Sequence, residues 1–427
     1  MCVTLLATSF LLYAWLRSEL ARWFFKWNLK TALVICLVAQ FIPSSDSTRG
    51  DCALLIGGRC LKNLVRRFGM FLAVLTLFGG SFASAQTIAN NQNDLANMQR
   101  LPQNIGGNVR QSPEYVEYQW PAIYFEARFN GPKVIFKIDD SYNRFRVLID
   151  GHEIGIIDRP IASQFEVTGL DASEHAIRID KLTESISSSG RFYGFFVENQ
   201  SQSLHAQTRE RQIEFIGDSD LVGYGVLSKT RDCDGTELRN MTDSTRAYPS
   251  IIARHFDADF QLYAYSGIGM VRNYGNNLPG QPLTHFYGRT VFGNLLTTRR
   301  EDFRPDIIYI ALGSNDFSTE IKSGEPWQNS EELSRDFVQK YIIFLRDLRA
   351  RNPNSTIFFG NYVNADSKLA AAYSQIIAQI ASTDSRFHVI LLPAAEATAC
   401  HWHPSIYDHL SMAQIVISRI NELKPNW

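Results

Sequence analysis

Four short blocks in the second half of the chain hold residue types that hydrolytic chemistry uses. They are Gly217-Asp218-Ser219, Ser266-Gly267-Ile268-Gly269, Gly313-Ser314-Asn315-Asp316 and His403-Pro404. A serine hydroxyl is a poor nucleophile at neutral pH until a base takes its proton. Ser219 is the candidate nucleophile and His403 the candidate base, taking that proton and returning it to a leaving alcohol. Taken singly, each block has a plainer reading. Gly-Asp-Ser is an ordinary turn, Asn315 a turn residue and Gly267 a backbone requirement. Together, and in this order, they point to acyl transfer.

The elements around the blocks support that reading. Residues 213–216 read as a short apolar strand ending at Gly217, and 247–256 as a helix. Strands follow at 260–265, 306–312, 356–359 and 389–392, with a helix at 368–380. The run 306–312 is continuously apolar, as in a parallel sheet buried on both faces. Phe337, Tyr341, Leu345 and Leu348 recur at helical spacing, as do Met412, Val416, Ile420 and Leu423. Strand and helix alternate, so residues 211–427 are expected to form a three-layer α/β domain with a parallel sheet between helices. All four blocks then fall in loops after strands or before helices, where open α/β sheets gather function.

The preceding segment has a different rhythm. Phe125, Ala127 and Phe129 alternate with Tyr124, Glu126 and Arg128, and similar alternation runs through 134–139 and 145–150. Turn signals at Asn130-Gly131-Pro132, Asp140-Ser141 and Asp150-Gly151 separate the runs. Residues 109–205 are therefore expected to form an all-β sandwich. Residues 86–108, rich in Asn and Gln without a period, read as a linker, and 200–211 as the domain boundary. Upstream, Lys62, Arg66 and Arg67 precede an apolar run at 70–78 and the small-x-small site Ala83-Ser84-Ala85. That is the layout of a secretory signal over 61–85, with translation starting near Leu61, Val65 or Met70. Residues 1–60 are then a misassigned extension. Their apolar stretches at 3–16 and 32–42 are shorter than the roughly 20 residues a spanning helix needs.

A net charge of -1 and 20% charged residues give no electrostatic reason to expect nucleic acid or an anionic membrane. Beyond Gln86 only Cys233 and Cys400 remain. In an exported protein they form one disulfide or stay as two buried thiols.

The four blocks resemble those of the SGNH (GDSL-type) hydrolases at Ser219, Gly267, Asn315 and His403. Three segments, residues 118–126, Ile149-Asp150-Gly151 and Ser266-Gly267-Ile268-Gly269 with Asn273-Tyr274, resemble carbohydrate esterase family 2. The family implies a jelly-roll sandwich before the SGNH domain. It also implies an oxyanion hole from the Ser219 and Gly267 N–H groups and the Asn315 amide, with Gly269 as an alternative to Gly267. One position departs from the superfamily. The aspartate expected three residues before the histidine is Cys400, which cannot orient an imidazole as a carboxylate does. The resemblance implies a Ser–His dyad with a backbone carbonyl holding the ring. The alternatives are a carboxylate from elsewhere, Asp408 or Asp316, or a weakened site. Trp402 is a candidate sugar-stacking residue or a core residue. His401 and His409 beside His403 match no structural zinc spacing, and no metal or cofactor is expected. The implied activity is a secreted or periplasmic monomer removing O-acetyl groups from sugars of plant cell-wall polysaccharides. Its partner is an acetylated oligo- or polysaccharide, with no nucleic acid and no membrane in the mature form. A generic SGNH esterase or lysophospholipase and a decayed carbohydrate-binding protein are the competing readings.

Overall fold

Period-two alternation builds strands whose apolar faces can only be satisfied by a second sheet. The structure, a computed structural model, describes residues 86–92, 94–294 and 300–423. The expected extension (1–60) and signal segment (61–85) lie outside them. In chain order the first strands are β1 (Thr87–Asn90), β2 (Gln99–Arg100), β3 (Asn104–Gly106), β4 (Val109–Gln111), β5 (Val116–Tyr118), β6 (Tyr124–Asn130) and β7 (Val134–Asp139). Then come β8 (Arg144–Ile149), β9 (His152–Asp158), β10 (Ser163–Thr168), β11 (Glu174–Lys181), β12 (Gly190–Val197) and β13 (Gln202–Ser203). One antiparallel sheet runs β1-β10-β7-β12-β5-β4 with β2 on β12, and the other β13-β6-β11-β8-β9 with β3 on β6. Phe125, Ala127 and Phe129 point into the core between them, against Phe136, Phe145, Ile177 and Phe192.

The expected linker at 86–108 is corrected by this topology. It carries β1, β2 and β3, each paired into a sheet. The strands escaped notice because β1 and β2 are almost wholly solvent-facing and show no apolar face. Their order comes from backbone pairing at sheet margins rather than from side-chain burial.

The second half contributes β14 (Arg211–Gly217), β15 (Ala258–Ala264), β16 (Ile307–Ala311), β17 (Thr356–Tyr362) and β18 (Phe387–Leu392). They form a parallel sheet in the order β15-β14-β16-β17-β18. Its helices are α1 (Ser219–Val222), α2 (Gly235–Met241), α3 (Tyr248–His255), α4 (Leu283–Phe286), α5 (Ser314–Phe317), α6 (Ser330–Arg351), α7 (Ser367–Ala381) and α8 (Ile406–Leu423). Alternation along β16 and β17 assigns the two faces. Ile308, Ile310, Ile357 and Phe359 pack with Tyr341, Leu345 and Ile376 of α6 and α7. Ile307, Tyr309 and Phe358 pack with Ile252, Val416 and Ile420 of α3 and α8. A three-layer α/β domain results.

The two halves belong to one compact unit. The segment 118–126 is where they meet. Trp120 donates through Nε1 to the Arg289 carbonyl at 2.7 Å and packs edge-on to Tyr263 and Phe292. The Gln119 side chain accepts from Phe292 N–H and donates to the Ser185 and Ile186 carbonyls. Tyr124 donates to Asp259, and Glu126 pairs with Arg209 at 2.7 Å. Residues that look like sandwich sequence thus hold the sandwich against the α/β domain.

Candidate active site

Ser219 stands directly beyond β14, a central strand of the parallel sheet, as the first residue of α1. The turn between them is tight. A Cβ on Gly217 would lie 2.5 Å from Leu221 Cδ1 and 2.7 Å from the Ala311 carbonyl, so only glycine fits. Asp218 caps the helix by accepting from Asp220 N–H at 3.2 Å. As the first helical residue, Ser219 has an N–H with no intrahelical acceptor.

His403 Nε2 lies 2.9 Å from Ser219 Oγ. Its Nδ1 lies 3.0 Å from the Cys400 carbonyl and 3.2 Å from the His401 carbonyl. A carbonyl can only accept, so Nδ1 carries the proton and Nε2 offers its lone pair to the serine. The loop that aims these carbonyls has an unusual path. His401 and Trp402 both adopt left-handed backbone, at φ 51° and 64°, a conformation non-glycine residues hold only when surroundings enforce it. Several contacts do so. Cys400 is disulfide-bonded to Cys233, with Cα atoms 5.5 Å apart. Arg231 donates to the Ala397 and Glu396 carbonyls and accepts, through its own carbonyl, from His401 N–H. The His401 ring bonds Tyr224 Oη and the Cys233 carbonyl, both at 2.9 Å.

The Cys400 side chain is taken up by its disulfide to Cys233. It lies against Gly225, where an added Cβ would sit 2.5 Å from Cys400 Cβ, and where φ is +60°. The two carboxylates considered as substitutes are engaged elsewhere. Asp408 accepts from Ser405 N–H, Ser405 Oγ and Glu396 N–H. Asp316 accepts from the N–H groups of Met270, Val271 and Arg272. His409 is buried against Tyr248, and burial pushes its pKa down to about 4. His401 lines the same cleft as His403, but both of its ring nitrogens are taken by Tyr224 and the Cys233 carbonyl, whereas His409 is buried.

Asn315 is the second residue of α5, with Nδ2 2.9 Å from the Ile268 carbonyl and 3.4 Å from Asp218 Oδ2. Gly269 N–H is occupied by Asn273 Oδ1 at 2.9 Å. Gly267 N–H makes no hydrogen bond among the described residues. Ser219, Gly267, Asn315 and His403 line a single cleft of about 760 Å³. Trp402 stands in the same cleft, 68% exposed, under the Arg231 guanidinium at 3.6 Å from its ring centroid. That exposure removes the core reading of Trp402.

Sequence reasoning missed the sandwich's share of the cleft: Tyr142, Thr183 and Glu184 line it too. Glu184 follows β11 without any motif around it, and only the docking of the two halves brings it to Ser219. Tyr224 was missed as well. It packs on the His403 ring at 4.2 Å.

Beneath the site, burial and the nearby Asp220 push the Asp218 carboxyl up to about 8, while Ser314 Oγ donates to it at 2.9 Å. The folded chain therefore holds a proton that the unfolded chain loses near 3.8. The stability this confers is complete below about pH 4 and is lost as pH rises through about 8. Asp218→Asn keeps an oxygen to cap Asp220 N–H and cannot ionise. Thermal melts from pH 6 to 9 should show a smaller fall in Tm for this variant than for the wild type. Parallel curves would contradict the buried proton.

Comparison with known proteins decides the lineage. Residues 105–206 match the family described as carbohydrate esterase 2 N-terminal, and residues 215–412 the GDSL-like lipase/acylhydrolase family. A Cellvibrio japonicus protein named acetylxylan esterase / glucomannan deacetylase is 35% identical over 333 residues, covering 77% of this chain and 92% of that protein. The chain belongs to carbohydrate esterase family 2. The enzyme is a carboxylic ester hydrolase of the GDSL type built on the sandwich-plus-α/β plan. A solved carbohydrate esterase, described as having an active site with divergent catalytic and non-catalytic binding functions, aligns with a TM-score of 0.72 at 35% identity over 76% of this chain and 98% of its own. A family two carbohydrate esterase from Clostridium thermocellum, solved with cellohexaose, aligns with a TM-score of 0.65 at 25% identity over 75% and 99%.

Proposed function

We propose that this esterase removes O-acetyl groups from sugars of plant cell-wall polysaccharides through a Ser219–His403 dyad. The observation that carries the reading is the 2.9 Å contact between His403 Nε2 and Ser219 Oγ, with Nδ1 fixed by the Cys400 carbonyl. Ser219 Oγ attacks the acetyl carbonyl carbon as its proton passes to His403 Nε2. The N–H groups of Ser219 and Gly267 and the Asn315 amide receive the oxyanion, each worth about 10²–10³ in rate. The intermediate collapses, the sugar oxygen leaves with the proton from His403, and acetate remains esterified to Ser219. Water, deprotonated by His403, then attacks the acyl-enzyme and releases acetate. Among the described residues no carboxylate hydrogen-bonds the His403 ring. Two carbonyl dipoles, from Cys400 and His401, stabilise the imidazolium instead.

The Cellvibrio japonicus relative's activity name supports the acetylated polysaccharide as substrate. The Cys233–Cys400 disulfide supports an oxidising compartment, hence a secreted or periplasmic enzyme. Exposed Trp402 offers an aromatic face to a sugar ring.

The purified protein should release acetate from acetylated glucomannan or xylan, and from 4-nitrophenyl acetate, faster than it cleaves longer acyl esters. Preference for long chains would favour the generic lipolytic reading. The description of the 35% identical structure favours one second reading, glycan binding without turnover. Glycan affinity in a folded protein that releases no acetate would establish it.

A further inference from the structure

We propose that Glu184, carried by the sandwich, is a substrate-specificity residue: its free carboxylate oxygen accepts a hydrogen bond from a hydroxyl of the sugar bearing the acetyl group. The proposal deepens the deacetylase reading and rests on it.

Glu184 lies just beyond β11 and lines the cleft with Ser219 and His403. One oxygen, Oε2, accepts from Ser266 N–H at 2.9 Å, one residue before the oxyanion candidate Gly267. The other, Oε1, has no hydrogen bond among the described residues. The side chain lines the cleft, where burial raises the pKa of its carboxyl while Ser266 and the Lys181 charge pull it down. The Tyr265 hydroxyl, in the same cleft, also lacks a protein hydrogen bond among the described residues.

The platform under Glu184 is built with unusual care for a loop. Lys181 Nζ, fully buried, donates to the carbonyls of Gln119, Trp120 and Thr183 at 3.0, 3.1 and 2.7 Å. The Leu182 carbonyl accepts from both Ser244 N–H and Ser244 Oγ. A carboxylate fixed on such a platform has a definite reach, which is what discrimination between substrates requires.

The chemistry of the position argues for a hydroxyl donor. A negative charge beside an oxyanion site opposes the charge that develops in the transition state. The Lys181 charge offsets part of that cost, and the sugar hydroxyls adjacent to the ester are donors of the right kind for the rest. A hydrogen bond to a charged acceptor typically contributes about ten- to a hundredfold in affinity. The same oxygen repels a carboxylate, so the site selects a neutral, hydroxyl-bearing sugar over a uronic acid at that subsite. A simple aryl acetate has no hydroxyl to offer.

The test compares wild type, Glu184→Gln and Glu184→Ala on acetylated glucomannan and on 4-nitrophenyl acetate, with cellohexaose binding by calorimetry alongside. Glutamine keeps an acceptor for Ser266 N–H but loses the charge. For Glu184→Gln the ratio of kcat/KM on glucomannan to that on the aryl ester should fall about tenfold or more, mainly through KM. An unchanged ratio, whether both activities fall together or neither falls, overturns the proposal and leaves Glu184 as a prop for the Ser266–Gly267 turn. If wild type releases no acetate from glucomannan, the deacetylase reading fails instead. Weaker cellohexaose binding by Glu184→Gln would then still support the sugar contact, and equal binding would overturn that too.

Discussion

Ser219→Ala is expected to lower kcat for acetate release by about 10⁵–10⁶-fold, with KM and fold nearly unchanged. Among the described residues the Ser219 side chain makes one hydrogen bond, to His403 Nε2, so its removal subtracts the proposed nucleophile and little else. A residual rate above that of water should survive, because the proposed oxyanion donors, the N–H groups of position 219 and Gly267 and the Asn315 amide, are left in place. His403→Ala should fall by a similar factor. The double variant is the sharper measurement. If serine and histidine act as one unit, Ser219→Ala/His403→Ala is no slower than either single variant. Multiplying losses would mean that the two side chains act independently, against the dyad. Thermal melts within a degree or two of the wild type are needed to read either result.

The candidate site was legible in the sequence because its parts are local. Ser219, Gly267 and Asn315 each stand a few residues beyond a strand of the parallel sheet, and such positions share one edge by topology alone. The strands themselves were legible for the same reason: Ile307 to Ala311 are all buried and read as a continuous apolar run. What the sequence did not reveal depends on pairing at a distance. β1 and β2 are ordered by neighbours more than sixty residues away and have no apolar face to announce them. Glu184 reaches the cleft only because residues 118–126 dock the sandwich on the α/β domain. The ring-orienting group of His403 is a backbone carbonyl, and every residue has one. The expectation of a backbone carbonyl came from the family resemblance; the residues by themselves show only that position 400 lacks a carboxylate.

That vacancy makes the disulfide the second large expectation. Cys233→Ser/Cys400→Ser should lower kcat by up to about 10²-fold, the scale of a 1 Å misplacement of a catalytic group. It should also lower unfolding free energy by about 2–5 kcal/mol. The link crosses 167 residues of sequence and ties the segment after Ser219 to the segment bearing His403. Cys400 contributes its sulfur to the link and its carbonyl to His403 Nδ1. Slack in the one therefore becomes tilt in the other. A carboxylate partner would tolerate small loop movements, having two oxygens and a charge. A neutral carbonyl is more directional and offers less, so the backbone carrying it must be held. His401 and Trp402, in left-handed conformation, give that backbone a reason to relax once released. Assays at 25 °C, far below the variant's melting point, separate the two effects. A lower Tm with wild-type kcat would assign the aim of His403 to the Arg231 contacts with Ala397 and Glu396 instead. A fall in kcat with an unchanged pattern of substrate preference would place the loss at the dyad, where a loosened imidazole costs every ester alike.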